Sequence, residues 1–199
     1  MNVLPHCDDL FQKFFDPWYN DAGRKRRQFK ATFPDMMQNP SLIGMSQAQV
    51  SRVNDEMQQT VLEHIAKMVE AARHDLNDCM SYRGDIDLHW VDTFDRFATR
   101  KNIHNLISKS DPNKYGNDYI VIVCEFGAAL SHALRAEQPR PVWLLDWPYW
   151  DSCLFDPKTG TVIPIFHWAM KRMSEYGLEE GYALKARACL RLLQEERKL

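Results

Sequence analysis

The chain has 199 residues, of which 45% are hydrophobic and 26% charged, values that fit one sizeable packed core and exclude collagen-like, coiled-coil and disordered classes. A formal net charge of −2 and a pI near 6.4 exclude a global field that would gather nucleic acid or an anionic membrane. Five cysteines, Cys7, Cys79, Cys124, Cys153 and Cys189, without a Cys-x-x-Cys pair, fit neither a disulfide framework nor a zinc knuckle and suit reduced thiols.

The N-terminus reaches Asp8 and Asp9 before an apolar signal region can form, and no unbroken run approaches the roughly 18 apolar residues of a membrane helix. A cytoplasmic protein is therefore expected. Residues 1–44 read as an N-terminal arm. Within it Leu10, Phe11, Phe14, Phe15 and Trp18 recur at helical spacing, so a short helix starting near Pro5 and ended by Pro17 is expected. The basic cluster Arg24, Lys25, Arg26, Arg27 and Lys30 has no aromatics interleaved as single-strand binding would require, so it reads as a solvated face and a nucleic-acid partner is disfavoured.

Residues 45–199 read as a single α+β domain. Ser46 with Gln49 forms a capping box, and Val50, Val53, Met57, Val61, Ile65, Met68, Ala72 and Leu76 then step by three or four. The spacing predicts a helix from Ser46 to Leu76, roughly 45 Å long. His64 and the methionines along it read as packing residues. In the segment from Asp85 to Lys101, the apolar stripe Ile86, Trp90, Phe94 and Phe97 predicts a helix whose polar face carries Asp85, His89, Asp92 and Arg96, and a second short helix is expected over 101–108.

Asn117 is a good N-cap. The Ile and Val residues between Tyr119 and Cys124 favour a strand by propensity, but the apolar character runs on to Leu134, so a buried central helix from Asn117 to Ala136 is predicted. On it Glu125 and His132 lie two turns apart, about 10 Å, which separates them too far for a direct hydrogen bond. Gly127 and its neighbouring alanines predict a close crossing by another element. Trp143, Trp147, Tyr149 and Trp150 are then concentrated beside Asp146 and Asp151, a composition shared by interaction surfaces and by core lids. The sequence Asp156-Pro157-Lys158-Thr159-Gly160 predicts a hairpin between Cys153–Phe155 and Thr161–Ile163, with 143–145 available as a third strand. Helical runs from His167 to Met173 and from Leu178 to Glu196 complete the chain. The result is a predominantly helical α+β fold, with a long N-terminal helix and a buried central helix packed on a small antiparallel sheet.

Gly-x-Gly-x-x-Gly, Walker, His-Glu-x-x-His and Gly-x-Ser-x-Gly motifs are absent from the sequence, and neither a cofactor nor a catalytic or metal-ligating set is expected. Cys153 with His167 is the one thiol–histidine pair that the hairpin brings into consideration, and Cys153 reads first as a buried strand residue. The order Glu-Phe-Gly on a helix, a tryptophan-bearing strand, a hairpin and a Phe-His-Trp-Ala turn over 117–177 resembles bacterial α+β domains of unknown function, some near toxin–immunity loci. That resemblance implies a binding role and brings no catalytic residues with it. The functional expectation is a non-enzymatic protein-binding domain, of the immunity or accessory type, that uses Trp147, Tyr149, Trp150, Asp151 and His167. The alternative is a small enzyme or ligand-binding domain with a cleft lined by Glu125, His132, Asp151 and His167.

Overall fold

A computed structural model describes residues 3–20, 53–179 and 181–194. The basic cluster of 24–30 and the capping box at Ser46 lie outside the described residues. The fold is predominantly helical with one three-stranded antiparallel sheet, the α+β class that the patterning predicts.

Helix α1 (Cys7–Phe14) is followed by a 3-10 turn, Asp16–Trp18, with Pro17 in its first turn. Leu4, Cys7, Leu10, Phe11, Phe14, Phe15 and Tyr19 are all buried in the same hydrophobic core as the rest of the described chain. The ring of Phe14 lies 4.7 Å from that of Tyr119, so the amphipathic face read from the sequence packs against the central helix.

Helix α2 (Asp55–Met80) starts at an Asn54 N-cap whose Oδ1 accepts from the Met57 amide at 2.9 Å. It ends at Ser81, which takes the left-handed conformation at φ 53°. The described helix therefore begins nine residues later than the Ser46 start and runs past Leu76. Val61, Ile65, Ala72 and Leu76 of the predicted stripe are buried, while Val69 takes the inward place read for Met68, which is half-buried beside it. Helices α3 (Leu88–Phe97) and α4 (Arg100–Lys109) follow, capped by Asp87 and Thr99.

Helix α5 (Asp118–Glu137) is the buried centre, capped by Asn117 Oδ1 accepting from the Ile120 amide. By length and hydropathy it would qualify as a membrane-spanning segment, but 72% of its apolar window is buried inside the fold. Burial on nearly all sides is why local β-propensity loses: a long helix satisfies its own backbone hydrogen bonds wherever it is placed. Helix α2 packs along one side of it, α3 and α4 touch others, and α6 (Ile165–Arg172) crosses closely. The crossing depends on Gly127, where a Cβ would lie 2.6 Å from Phe166 Cδ1. Phe126 stacks on Phe94 with centroids 3.9 Å apart and planes 8° apart.

The sheet order is β1 (Val142–Leu144), β2 (Cys153–Asp156), β3 (Thr161–Ile163), with Trp143 opposite Leu154 and Leu154 opposite Ile163. Asp156 fixes the β2–β3 turn. Its carboxylate accepts from Thr159 Oγ1 at 2.6 Å, from the Thr159 and Lys158 amides, and from Arg140 Nε and Nη2 at 2.6 and 2.9 Å. Helix α7 (Tyr182–Gln194) closes the fold against α3. There the Asp95 carboxylate accepts from Arg172 Nε at 2.6 Å and from the Ala183 amide at 2.8 Å, joining α3, α6 and α7 at one point.

Candidate functional site

The connector between β1 and β2 carries the aromatic cluster, and its backbone is closed on itself. The Asp146 amide donates to Ser152 Oγ, the Ser152 hydroxyl donates to the Asp146 carbonyl, and the Trp147 amide donates to Asp146 Oδ1 at 2.8 Å. A 3-10 turn, Tyr149–Asp151, follows the cis Trp147–Pro148 peptide. A short loop with two internal hydrogen-bonded residues needs no regular structure to hold one conformation.

This turn points two of the predicted residues inward. Tyr149 is 5% and Trp150 4% exposed. The Trp150 indole donates to Tyr19 Oη at 3.1 Å, and Tyr19 Oη in turn donates to Asp151 Oδ1 at 2.7 Å. Trp150 also meets the edge of Phe15 at 5.4 Å, so residues of the N-terminal arm form the wall behind the connector. Tyr149 stacks face to face on His64 of α2, with centroids 5.8 Å and planes 4° apart, and meets Phe166 edge-on at 6.0 Å. Aromatic pairs of these kinds contribute about 0.5–1.5 kcal/mol each beyond burial.

The accessible side of the cluster is accordingly smaller than the predicted set. Trp147 is half-buried, 6.2 Å from the His64 ring and 6.5 Å from Tyr149. Asp151 is half-buried and held by Tyr19. His167 is exposed on α6, which packs against the connector. Tyr149 and Trp150 support this rim from beneath. His64 is the member that sequence reasoning passed over; its signal was its place at the edge of the α2 stripe, three residues after Val61.

The other predicted residues, Glu125 and His132, are on α5. His132 is exposed, and Arg73 Nη2 lies 3.4 Å from its Nε2. Partial desolvation, then the Arg73 charge, hold the imidazole below its ordinary pKa. Glu125 is 1% exposed, and its Oε2 is buried without a hydrogen-bond partner among the described residues. Burial first, and the Asp75 carboxylate second, push its pKa up to about 8, so the neutral acid is the form present at neutral pH. Next to it the Cys124 thiol is pushed up to about 12 by burial, despite its hydrogen bond with Tyr149. Burial likewise raises the Tyr149 phenol far above its usual range, with Cys124 adding to the shift.

Chemically, this arrangement offers a fixed aromatic rim over a line of buried titratable groups. Among the described residues no group of three or more His, Cys, Asp or Glu side chains is placed to hold a metal ion. Cys153 is half-buried in β2, and none of the five cysteines is disulfide-bonded. Comparison with protein-family models, with curated proteins and with solved structures returns no match.

Proposed function

We propose that this chain is a non-enzymatic protein-binding domain, an accessory or immunity-type factor, that recognises another protein through the rim of Trp147, His64 and Asp151, with His167 alongside. The observation that supports this reading is the division of labour in the connector. Tyr149 and Trp150 are locked into the core, and they leave Trp147 half-exposed on a surface that is already ordered. Pre-ordered aromatic anchors next to an acid lose little conformational entropy on association, and such residues dominate interface energetics.

The test is Trp147→Ala. Thermal melting reads whether the residue is structural, and co-purification from cells of the source organism reads binding. The proposal expects a melting temperature near that of the wild type and loss of a stoichiometric partner. Retention of that partner by a folded Trp147→Ala variant would remove the rim from the account. The Glu125 Oε2, buried without a hydrogen-bond partner among the described residues, favours one second reading, a ligand-binding or small catalytic domain with a cleft lined by Glu125, His132, Asp151 and His167. Under that reading Glu125→Gln abolishes the activity and Trp147→Ala leaves it intact.

A further inference from the structure

Glu125 is the polar group the fold explains least. A carboxyl of this kind is ordinarily hydrogen-bonded or paired when it is inside a protein, because an unpartnered polar group costs on the order of 1–3 kcal/mol and an unpaired charge considerably more. Here Oε2 has neither type of partner among the described residues, and the side chain is almost fully enclosed.

Burial and the Asp75 carboxylate make its ionisation harder, and the other titratable groups within its electrostatic reach are neutral. From α2 come Asp75, which is exposed, and the Cys79 thiol; from the connector comes the Tyr149 phenol; on α5 itself the neighbour is Cys124. These groups are acidic or neutral, and the charge acting on Glu125 is the negative one of Asp75. The residue before Glu125, Cys124, begins a series of contacts that reaches the surface. Its thiol is hydrogen-bonded with Tyr149. Tyr149 in turn stacks on His64 and lies beside Trp147.

We infer that Glu125 is a proton-controlled latch beneath the aromatic rim: protonated, it lets α2, α5 and the connector close together, and ionised, it favours opening of that seam. The regulatory half of this inference rests on the rim being the recognition surface; the latch itself does not. The sign follows from linkage. In the closed state the acid keeps its proton up to about pH 8, whereas in an opened state it ionises near the ordinary carboxylate value. Opening therefore becomes easier as pH rises between those limits, by up to about tenfold per pH unit, and levels off above the upper one.

Amide hydrogen exchange of the intact chain, corrected for intrinsic exchange chemistry, reads this without any partner. Between pH 5.5 and 7.5 the opening constant for amides of α5 around Glu125 is expected to rise at least tenfold in the wild type. That rise should be absent in Glu125→Gln, which imitates the neutral acid and keeps only the opposite trend of His132. Subtracting the variant's profile removes the opposite trend that His132 contributes. Asp75→Asn, at an exposed position, removes the neighbouring negative charge and should move the upper levelling-off to lower pH, while Cys79→Ser should not flatten the profile.

Equal pH dependence in the wild type and Glu125→Gln, or no rise in the wild type, would overturn the latch. Should Glu125→Gln fail to fold, the Asp75→Asn shift decides alone, and an unshifted profile overturns the inference. A confirmed latch in a protein whose Trp147→Ala variant still binds its partner would leave the latch standing and remove only its link to recognition.

Discussion

Replacing Asp95 by alanine should be among the most damaging single changes in this protein. Arg172 is 4% exposed, and its guanidinium donates through Nε to Asp95 Oδ1 and through Nη2 to the Asp95 carbonyl, both at 2.6 Å. Its remaining nitrogen, Nη1, is already buried without a hydrogen-bond partner among the described residues. Asp95 Oδ2 meanwhile accepts from the Ala183 amide in the first turn of α7, so one side chain both neutralises a buried cation and caps a helix from outside it. Removing the partner of a buried ion pair costs about 3–5 kcal/mol, because the surviving charge is left desolvated. Loss of the cap adds on the order of 1 kcal/mol. At roughly 2–4 °C per kcal/mol for a chain of this size, the melting temperature should fall by about 10 °C or more. Urea denaturation followed by circular dichroism gives the free energy directly. The double change Asp95→Leu with Arg172→Met removes both charges and should recover most of the loss. A loss below about 1 kcal/mol in Asp95→Ala, or a double variant no better than the single one, would refute the reasoning.

Close packing at two glycines predicts a graded response. Gly177→Ala would place a Cβ 2.3 Å from the Lys171 carbonyl oxygen and 2.4 Å from Arg172 Cα, backbone atoms that cannot move aside. It should destabilise more than Gly127→Ala, whose main contact is the ring edge of Phe166 and which should cost about 1–3 kcal/mol by overpacking; equal melting temperatures would contradict this ranking. At the acid end, the Arg140 guanidinium first, and Thr159 and Lys158 with it, hold the Asp156 carboxyl down at about 2. A depressed folded pKa gives stability that is present above the unfolded value near 4 and lost as pH falls through 2. Asp156→Asn should therefore flatten the acid limb of the stability profile, by about 2 kcal/mol between pH 5 and 2. Brief alkylation of the native protein followed by mass spectrometry should label the exposed Cys79 before the buried Cys7, Cys124 and Cys189, three thiols that burial pushes to about 11 or 12. Early labelling of Cys124 would show that the α2–α5 seam is open under those conditions.

Local signals in the sequence carried most of the elements. Asn117 as a cap, the unbroken apolar character through Leu134 and the turn residues of 156–160 are chemistry confined to a few consecutive residues, and they place α5 and the hairpin within a residue or two of where they lie. The start of α2 was less legible. Ser46 and Asn54 both offer a capping side chain ahead of the same apolar stripe, and local chemistry gives no reason to choose between them. The described helix takes Asn54.

Long-range pairing was illegible for a different reason. Asp95 with Arg172, Arg100 with Glu175 and Tyr19 with Asp151 are separated by 77, 75 and 132 residues, and with 25 basic and 27 acidic residues no pattern identifies which meet. The candidate site shows the same limit. Its aromatic density was visible, but which rings face outward depends on a turn that sends Tyr149 and Trp150 inside and leaves Trp147 at the edge. His64 joins the site only because α2 passes the connector.

The most direct test of the recognition surface is site-specific photo-crosslinking in cells of the source organism. A benzophenone side chain placed at Trp147 should give one discrete adduct with a second protein, while the same group at Leu184, 71% exposed on α7, should give none. An adduct pattern identical at the two positions, or no adduct from position 147 in a folded protein, would contradict the account.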